Sequence, residues 1–347
     1  MIGFMAWWQL ILFPFALIYD LITRFRNHLY NIKQRTSIKF EANVIGVGNL
    51  EVGGTGKSPM IDFLIQHFLS KNKKIATLSR GYGRKTRGFR LGSSSDTAAT
   101  LGDEPMIYQK KYQDQISVAV AEARAIGIPY LLAENNDIDV ILLDDAYQHR
   151  SVEPSLSILL STCKRPFFDD FLLPTGRLRE ARQGARRANI ICFTKAPVDM
   201  SDQEQQQMIA RTRTYHPDAP VFFTHIAYAP LISFGMAKAK QKVIGIAGIA
   251  DNQVFESYLK SNFEVVEFYE FADHHDYKAD EINKVVEVMA HHEAMLVTTE
   301  KDFIKLGQFK NLIAESCFYL PIEIKFIEGQ SNFLKLVDDT MKRYPKY

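Results

Sequence analysis

Cysteine is scarce in this chain: Cys163, Cys192 and Cys317 are the only three in 347 residues. Their wide spacing offers neither a metal-ligand pair nor a disulfide framework. They read as small buried hydrophobes in a reducing compartment. An excess of one charge is missing too, since 42 Lys and Arg oppose 40 Asp and Glu for a net charge of +2. That balance excludes neither nucleic acid nor membrane, so the distribution of charge matters more than its sum. No repeat period or low-complexity tract stands out, which argues against a solenoid or a disordered tail.

Long apolar runs are absent with one exception. Residues 1–18, MIGFMAWWQLILFPFALI, are nearly all apolar and hold both tryptophans. The run lacks the positive start and small-residue cleavage site of a secretory signal. It is short for a membrane span and is interrupted by Gln9 and Pro14. Asp20 ends it, and Arg24, Arg26, Lys33 and Arg35 follow. Aromatic and aliphatic groups beside cations predict a helix lying in a membrane interface, with the rest of the chain on the cytoplasmic side.

What is present is ordinary globular material, 46% hydrophobic and 24% charged. The length suggests two domains. Residues 44–58, VIGVGNLEVGGTGKS, decide most of the reading. An apolar strand runs into a glycine-rich turn ending in Gly56-Lys57-Ser58, and a helical apolar pattern (Met60, Ile61, Phe63, Leu64, Phe68) follows. Glycines let backbone N–H groups converge on an anion, and the helix N-terminus adds partial positive charge. Lys57 reaches terminal phosphates and the Ser58 hydroxyl suits magnesium. The usual expression wants a glycine where Glu51 stands, which leaves GGTGKS as a shortened loop.

Strands expected at 73–79, 117–120, 138–143, 156–160 and 189–194 alternate with helices at 122–132 and 200–215. The pattern reads as a doubly wound parallel sheet. A second α/β unit begins near Lys242. The expected fold is therefore α/β: a P-loop NTPase-type parallel sheet domain over 36–220, preceded by an apolar membrane-associating helix over 1–35. A smaller α/β domain covers 221–347, joined by a two-stranded linker from strands near 221–234 and 317–326. Residues 80–105 show little periodicity and read as a long functional loop.

Residues 138–145, IDVILLDD, have the form of an apolar strand delivering Asp144 and Asp145 beside the phosphate loop, where either could hold magnesium. Asp103 and Glu104 are adjacent carboxylates free to take different roles, or else they begin a helix. His149 follows the Asp pair as a site residue or a solvated loop histidine. Arginines at 80, 84, 87 and 90 and again at 177, 179, 182, 186 and 187 suit phosphate more than nucleic acid, since aromatic interleaving is missing. Thr194-Lys195-Ala196-Pro197 resembles a guanine-reading loop with Pro197 in place of its Asp, which disfavours a GTPase. FADHHD at 271–276 suggests metal or proton transfer. The 298–302 segment, TTEKD, is explained by turn and cap roles.

In order along the chain, VGNLEVGGTGKSP, SRGYGR, GDEP, LLDDAYQH, LLPTGRLRE, AGIADNQVF, FADHH and VTTEKD resemble the tetraacyldisaccharide 4'-kinase family, the lipid A 4'-kinases. The resemblance extends from the apolar N-terminus to about residue 326. It implies ATP-dependent phosphorylation of the 4'-hydroxyl of tetraacyldisaccharide 1-phosphate at the cytoplasmic face of the inner membrane, by a peripheral or monotopic enzyme. Its partners would be a lipid substrate in the bilayer and the membrane surface, with no nucleic acid and no obligatory protein partner. Carried over by position, Glu51, Val52, Gly53, Gly54, Thr55, Gly56, Lys57 and Ser58 bind ATP, with Arg124 near the phosphates. Asp103 is implied as base or orienter of the hydroxyl, supported by His274, with Lys57, Arg179 and Asp144 also catalytic and Glu180 orienting Arg179. Ser58, Glu104, Asp144 and Asp145 would serve Mg2+. Ala146-Tyr147 and Ala272 depart mildly from the family pattern. A membrane-associated P-loop ATPase without lipid kinase activity is the alternative.

Overall fold

The computed structural model describes residues 7–234, 238–249, 251–273, 275–313 and 316–344. Its strands in chain order are β1 (Val44–Asn49), β2 (Ile75–Ser79), β3 (Arg90–Leu91), β4 (Ile116–Val120), β5 (Val140–Asp144), β6 (Leu156–Thr162) and β7 (Ile190–Thr194). They continue with β8 (Val221–Tyr228), β9 (Ile232–Ser233), β10 (Lys242–Ala247), β11 (Glu264–Glu270), β12 (Met295–Thr299), β13 (Cys317–Leu320) and β14 (Ile322–Phe326). Among the described residues one sheet has the order β14-β8-β7-β6-β1-β5-β2-β4-β3, and a second has the order β11-β10-β12-β13-β9. In the first, β8 through β4 run parallel, and only the edge strands β3 and β14 are antiparallel.

Every residue of β1, β2, β5 and β7 is buried. Near-continuous apolar strands are what a parallel sheet covered on both faces requires. Strand β1 lies between β5 and β6, with Val47 opposite Asp144, so the loop after β1 and the carboxyl end of β5 open on the same edge. The helix Lys57–Ser70 buries Met60, Ile61, Leu64, Ile65 and Phe68 at helical spacing against the sheet. Each such side chain contributes about 1.5–3 kcal/mol when fully buried.

Residues 80–105 are more ordered than their lack of periodicity predicts. Asp96 draws the segment together by accepting from Arg90 Nε (2.7 Å), Ser93 N (3.0 Å) and Thr100 Oγ1 (2.6 Å). Buried polar hydrogen bonds replace an apolar pattern here, and such bonds leave no periodic signal. The helix Asp103–Tyr112 begins directly after Gly102, so Asp103 and Glu104 form its first turn.

Two junctions connect the sheets. Strand β8 pairs antiparallel with β14, Tyr228 opposite Ile322, while β9 pairs antiparallel with β13, Ile232 opposite Tyr319. Two neighbouring chain segments thus pass from one sheet into the other. At the second junction, Ile304 from the helix Glu300–Leu306 packs with Leu101, Met106 and Val120 of the first unit. Lys111 bridges the same surface, 2.9 Å from Asp62 and 3.3 Å from Glu300.

The C-terminal helix Gln330–Met341 returns to the first sheet, whereas the sequence grouped residues 221–347 in the smaller unit. Phe333 and Val337 enter the first sheet's core, and Asp338 pairs with His67 at 2.8 Å. Its apolar positions are spaced for a helix, but only the tertiary core decides which sheet receives them.

The helix Trp7–Asn31 lies against the segment 175–180. Gln9 Nε2 donates to the Thr175 carbonyl (2.8 Å), the Tyr19 hydroxyl to the Arg179 carbonyl (2.9 Å) and Asn27 Nδ2 to Glu180 Oε2 (2.8 Å). Its remaining surface presents Leu10, Ile11, Phe15, Leu17, Ile18, Leu21, Ile22 and Phe25 to solvent. Among the described residues no helix is long and apolar enough to cross a membrane.

Candidate active site

The phosphate loop is built by two glycines in conformations closed to other residues. Gly53 has φ of 104° and Gly56 a left-handed φ of 82°, from which the helix Lys57–Ser70 starts without a side-chain cap. The floor is stapled from neighbouring strand ends. Asn49 Nδ2 donates to Thr55 Oγ1, and Thr194 Oγ1 donates to the Thr55 carbonyl, both at 2.8 Å. Arg177 takes both backbone groups of Val52: its carbonyl accepts from Val52 N (2.8 Å), and its guanidinium donates to the Val52 carbonyl (2.7 Å and 3.1 Å). That guanidinium lies directly over Gly53, where a Cβ would collide with it.

At the lip of this loop Lys57 Nζ sits 3.5 Å from Asp145 Oδ1. Arg179 grips the same carboxylate with two parallel bonds of 2.9 and 3.0 Å, and also donates to Asn49 Oδ1 and to the Glu51 carbonyl. Burial pushes the Asp145 carboxyl up, but the Arg179 bonds and the Lys57 charge outweigh it and hold the group at about 2. Asp144 is its opposite. It is buried, neither of its carboxylate oxygens has a hydrogen-bond partner among the described residues, and burial reinforced by Glu104 raises it well above the usual carboxylate range. Ser58 Oγ donates to Glu104 Oε1 at 3.3 Å, so the loop hydroxyl and that carboxylate meet on the same side.

Other expected site residues are placed differently. The Glu51 side chain turns beneath the loop, where Ser161 Oγ donates to it at 3.2 Å and burial raises it to about 7. Arg124 is buried, donates to the Ala121 and Asp144 carbonyls (2.9 and 3.2 Å), and is lowered by burial to about 10. It thus braces the end of β5 from behind. Glu180 accepts from Arg187, Asn27 and Gln148; it does not hold the Arg179 side chain. Burial and the Arg124 charge bring His149 down to about 4, a neutral ring at pH 7.

Asp103, in the first turn of its helix, lies 3.8 Å from Lys305 Nζ of the second unit. His274 lies outside the described residues. Its neighbour His275 is stacked on Phe271, bonds Glu281 at 3.0 Å, and gives its carbonyl to Lys305 at 3.0 Å.

Residues 8–342 match the family model described as tetraacyldisaccharide-1-P 4'-kinase. The chain belongs to that family. This kinase is 42% identical over 330 residues to the tetraacyldisaccharide 4'-kinase of Flavobacterium johnsoniae, covering 93% of this chain and 94% of the relative. The tetraacyldisaccharide 4'-kinase of Flavobacterium psychrophilum is also 42% identical, over 334 residues, with coverage of 94% and 95%. The crystal structure of LpxK from Aquifex aeolicus in complex with ATP superposes with a TM-score of 0.75 at 30% identity, over 96% of the kinase and 99% of that chain. The family is thus the one that the ordered motifs implied, and the mixed α/β fold with its large parallel sheet is the one that the alternation of strands and helices predicted.

Sequence reasoning did not single out Asn49 or Lys305 in this kinase, and it read Thr194 only as part of a segment like a guanine-reading loop, not as a support of the phosphate loop. Asn49 ends β1 and Thr194 ends β7, so strand ends beside a phosphate loop were the available signal. Nothing local marks Lys305, because its partners, Asp103 of the other unit and the His275 carbonyl of its own, are both far away in sequence.

Proposed function

We propose that this kinase transfers the γ-phosphoryl group of ATP to the 4'-hydroxyl of tetraacyldisaccharide 1-phosphate in the edge where β1 and β5 end, forming the bis-phosphorylated lipid. The observation that carries the reading is Asp144: a buried carboxylate with two unpartnered oxygens, beside Lys57 and the Ser58–Glu104 pair.

That donor set fits Mg2+. Hard oxygens from a hydroxyl and one or two carboxylates are its usual protein share, the remainder coming from water and phosphate. Ser58 and Asp144 would hold the ion, with Glu104 and Asp145 beside it. A bound magnesium would neutralise charge on the phosphate oxygens.

The protein's own residues supply the rest. Backbone N–H groups of 53–58 cradle the phosphates, and Lys57 places its ammonium at the terminal ones. Asp145, kept ionised by its cations, fixes the guanidinium of Arg179 so that it meets developing charge without reorganising. Asp103 orients and deprotonates the 4'-hydroxyl, with His274 in support. The apolar face of the helix Trp7–Asn31 rests in the cytoplasmic leaflet of the inner membrane and brings this edge to an acceptor anchored in lipid. The second unit closes over the cleft about the paired segments at β8–β14 and β9–β13.

The test supplies purified kinase with radiolabelled ATP, Mg2+ and tetraacyldisaccharide 1-phosphate. Label should appear in a bis-phosphorylated lipid and vanish with Lys57→Ala. Label in free phosphate alone would instead support an ATPase without lipid kinase activity.

A further inference from the structure

The helix Glu300–Leu306 is too short to hold itself by intrinsic propensity, so its cap and its packing decide where it points. Both are built with care. Thr299 Oγ1 donates to Asp302 Oδ2 (2.7 Å) and accepts from Asp302 N (3.1 Å), and Gly248 N donates to the same carboxylate (2.9 Å). Asp302 is fully buried, so these bonds are not exchanged for water. On the outer side Ile304 seats among Leu101, Met106 and Val120, and Lys110 Nζ reaches the Ile304 carbonyl at 3.5 Å. The TTEKD segment therefore aims a short arm from the second unit into the first.

At the end of that arm is Lys305. Its side chain is only 7% exposed, with Nζ 3.8 Å from Asp103 Oδ2 and donating to the His275 carbonyl at 3.0 Å. One ammonium thus contacts a carboxylate of the first unit and the loop of the second that contains the FADHH motif. We propose that Lys305 is a positioning residue for Asp103: it sets the orientation of the carboxylate toward the acceptor hydroxyl and locks the histidine loop against it when the units are together. This rests on the reading of Asp103 as the group that handles the hydroxyl. The ammonium beside the Asp103 carboxylate, itself held by the His275 carbonyl, limits how that carboxylate and the loop can turn relative to each other. Misplacing a reacting group by about 1 Å can cost about 100-fold in rate. The ammonium would act only through Asp103 and the loop, so its loss should slow the chemical step while leaving nucleotide binding in place.

The experiment compares Lys305→Met, Lys305→Arg, Asp103→Asn and the double variant Lys305→Met/Asp103→Asn as full-length protein, with ATP, Mg2+ and tetraacyldisaccharide 1-phosphate. Lys305→Met should lower kcat by roughly 10-fold or more with the KM for ATP changed by less than about twofold, and Lys305→Arg should restore most of the rate. In the Asp103→Asn background, Lys305→Met should cost less than about twofold further, because the two act as one unit. Thermal melting checks folding, and Lys305→Gln takes the place of Lys305→Met if that variant does not fold. A folded variant with the wild-type rate overturns the proposal. So does an equal loss in both backgrounds, which marks a general structural role, or a rise in the KM for ATP with kcat unchanged. If Asp103→Asn is slow while Lys305→Met is fully active, this proposal alone falls. If Asp103→Asn keeps the wild-type rate, the assignment of Asp103 falls and takes this one with it.

Discussion

Glu51 occupies the place where a phosphate loop commonly has its first glycine, and its carboxyl is packed under the loop with one oxygen unpartnered. Burial raises it from 4.5 to about 7, which costs the native state roughly 3 kcal/mol once the group is ionised. Below pH 4.5 the group is neutral in both folded and unfolded chains and costs nothing. As pH rises through about 7 the folded carboxyl must ionise in place, so this contribution to stability is lost across that window. Glu51→Gln keeps the hydrogen bond from Ser161 and removes the titration. Its melting temperature should match wild type near pH 5 and exceed it by roughly 5 °C at pH 8; a constant difference across that range would reject the assignment. Asp144→Asn should leave the fold intact and raise the Mg2+ concentration needed for half-maximal activity by roughly 10-fold or more, the scale seen when metal-site groups are removed. A magnesium titration of initial rates checks this, and an unchanged midpoint would remove Asp144 from the ion. At this scale the sequence displayed residue types well and directions poorly. Asp144, Asp145 and Ser58 point to the loop edge because strand ends and helix starts dictate it. Glu51 turns inward to Ser161 and Arg124 to the Asp144 carbonyl, and both partners are distant in sequence.

Elements of the first sheet follow from local pattern: continuous apolar runs became β1, β5 and β7, and the run Met60–Phe68 became the face of a helix. The helix Trp7–Asn31 shows what pattern alone leaves open. Its composition announces an apolar helix, but which side faces the protein is fixed by Gln9, Tyr19 and Asn27, three polar residues that bond the 175–180 segment. Most of the side chains that remain outside are apolar, and an exposed apolar surface of this kind marks an interaction site. Replacing Ile18, Leu21 and Phe25 together with serine should therefore leave circular dichroism and melting unchanged. It should reduce co-sedimentation with anionic phospholipid vesicles by roughly 10-fold or more, since each buried side chain is worth about 1.5–3 kcal/mol. Full vesicle binding by the triple variant would remove the helix from the membrane. Replacing Gln9 and Asn27 should do the reverse, loosening the helix from the body while sparing its affinity for lipid.

For the whole molecule, the question is how two sheets that share few contacts bring Asp103 to the histidine loop. The ladders β8–β14 and β9–β13 are separated by residues 229–231 on one segment and by Pro321 on the other, where a single bond from Ala229 N to the Pro321 carbonyl (2.9 Å) remains. The opposite side is held by one small apolar cluster around Ile304 together with Lys111 and Lys305. This uneven attachment suits a hinge, with strong, extended pairing at the pivot and a small interface that can part at the mouth. No sequence period encodes it, because Ile304 and Leu101 are two ordinary apolar residues until the fold apposes them. Ile304→Asp buries a carboxylate in that cluster and should open the mouth without unfolding either sheet. Amide hydrogen exchange in Asp103–Tyr112 and Glu300–Leu306 should accelerate by roughly 10-fold or more, which is about 1.4 kcal/mol of local stability. Exchange in β1 and β5 should stay at the wild-type rate, and kcat should fall while ATP still binds. Acceleration spread evenly over β1 and β5 would mean that the two units unfold as one, and closure about the paired strands would then no longer explain how the carboxylate meets its partner.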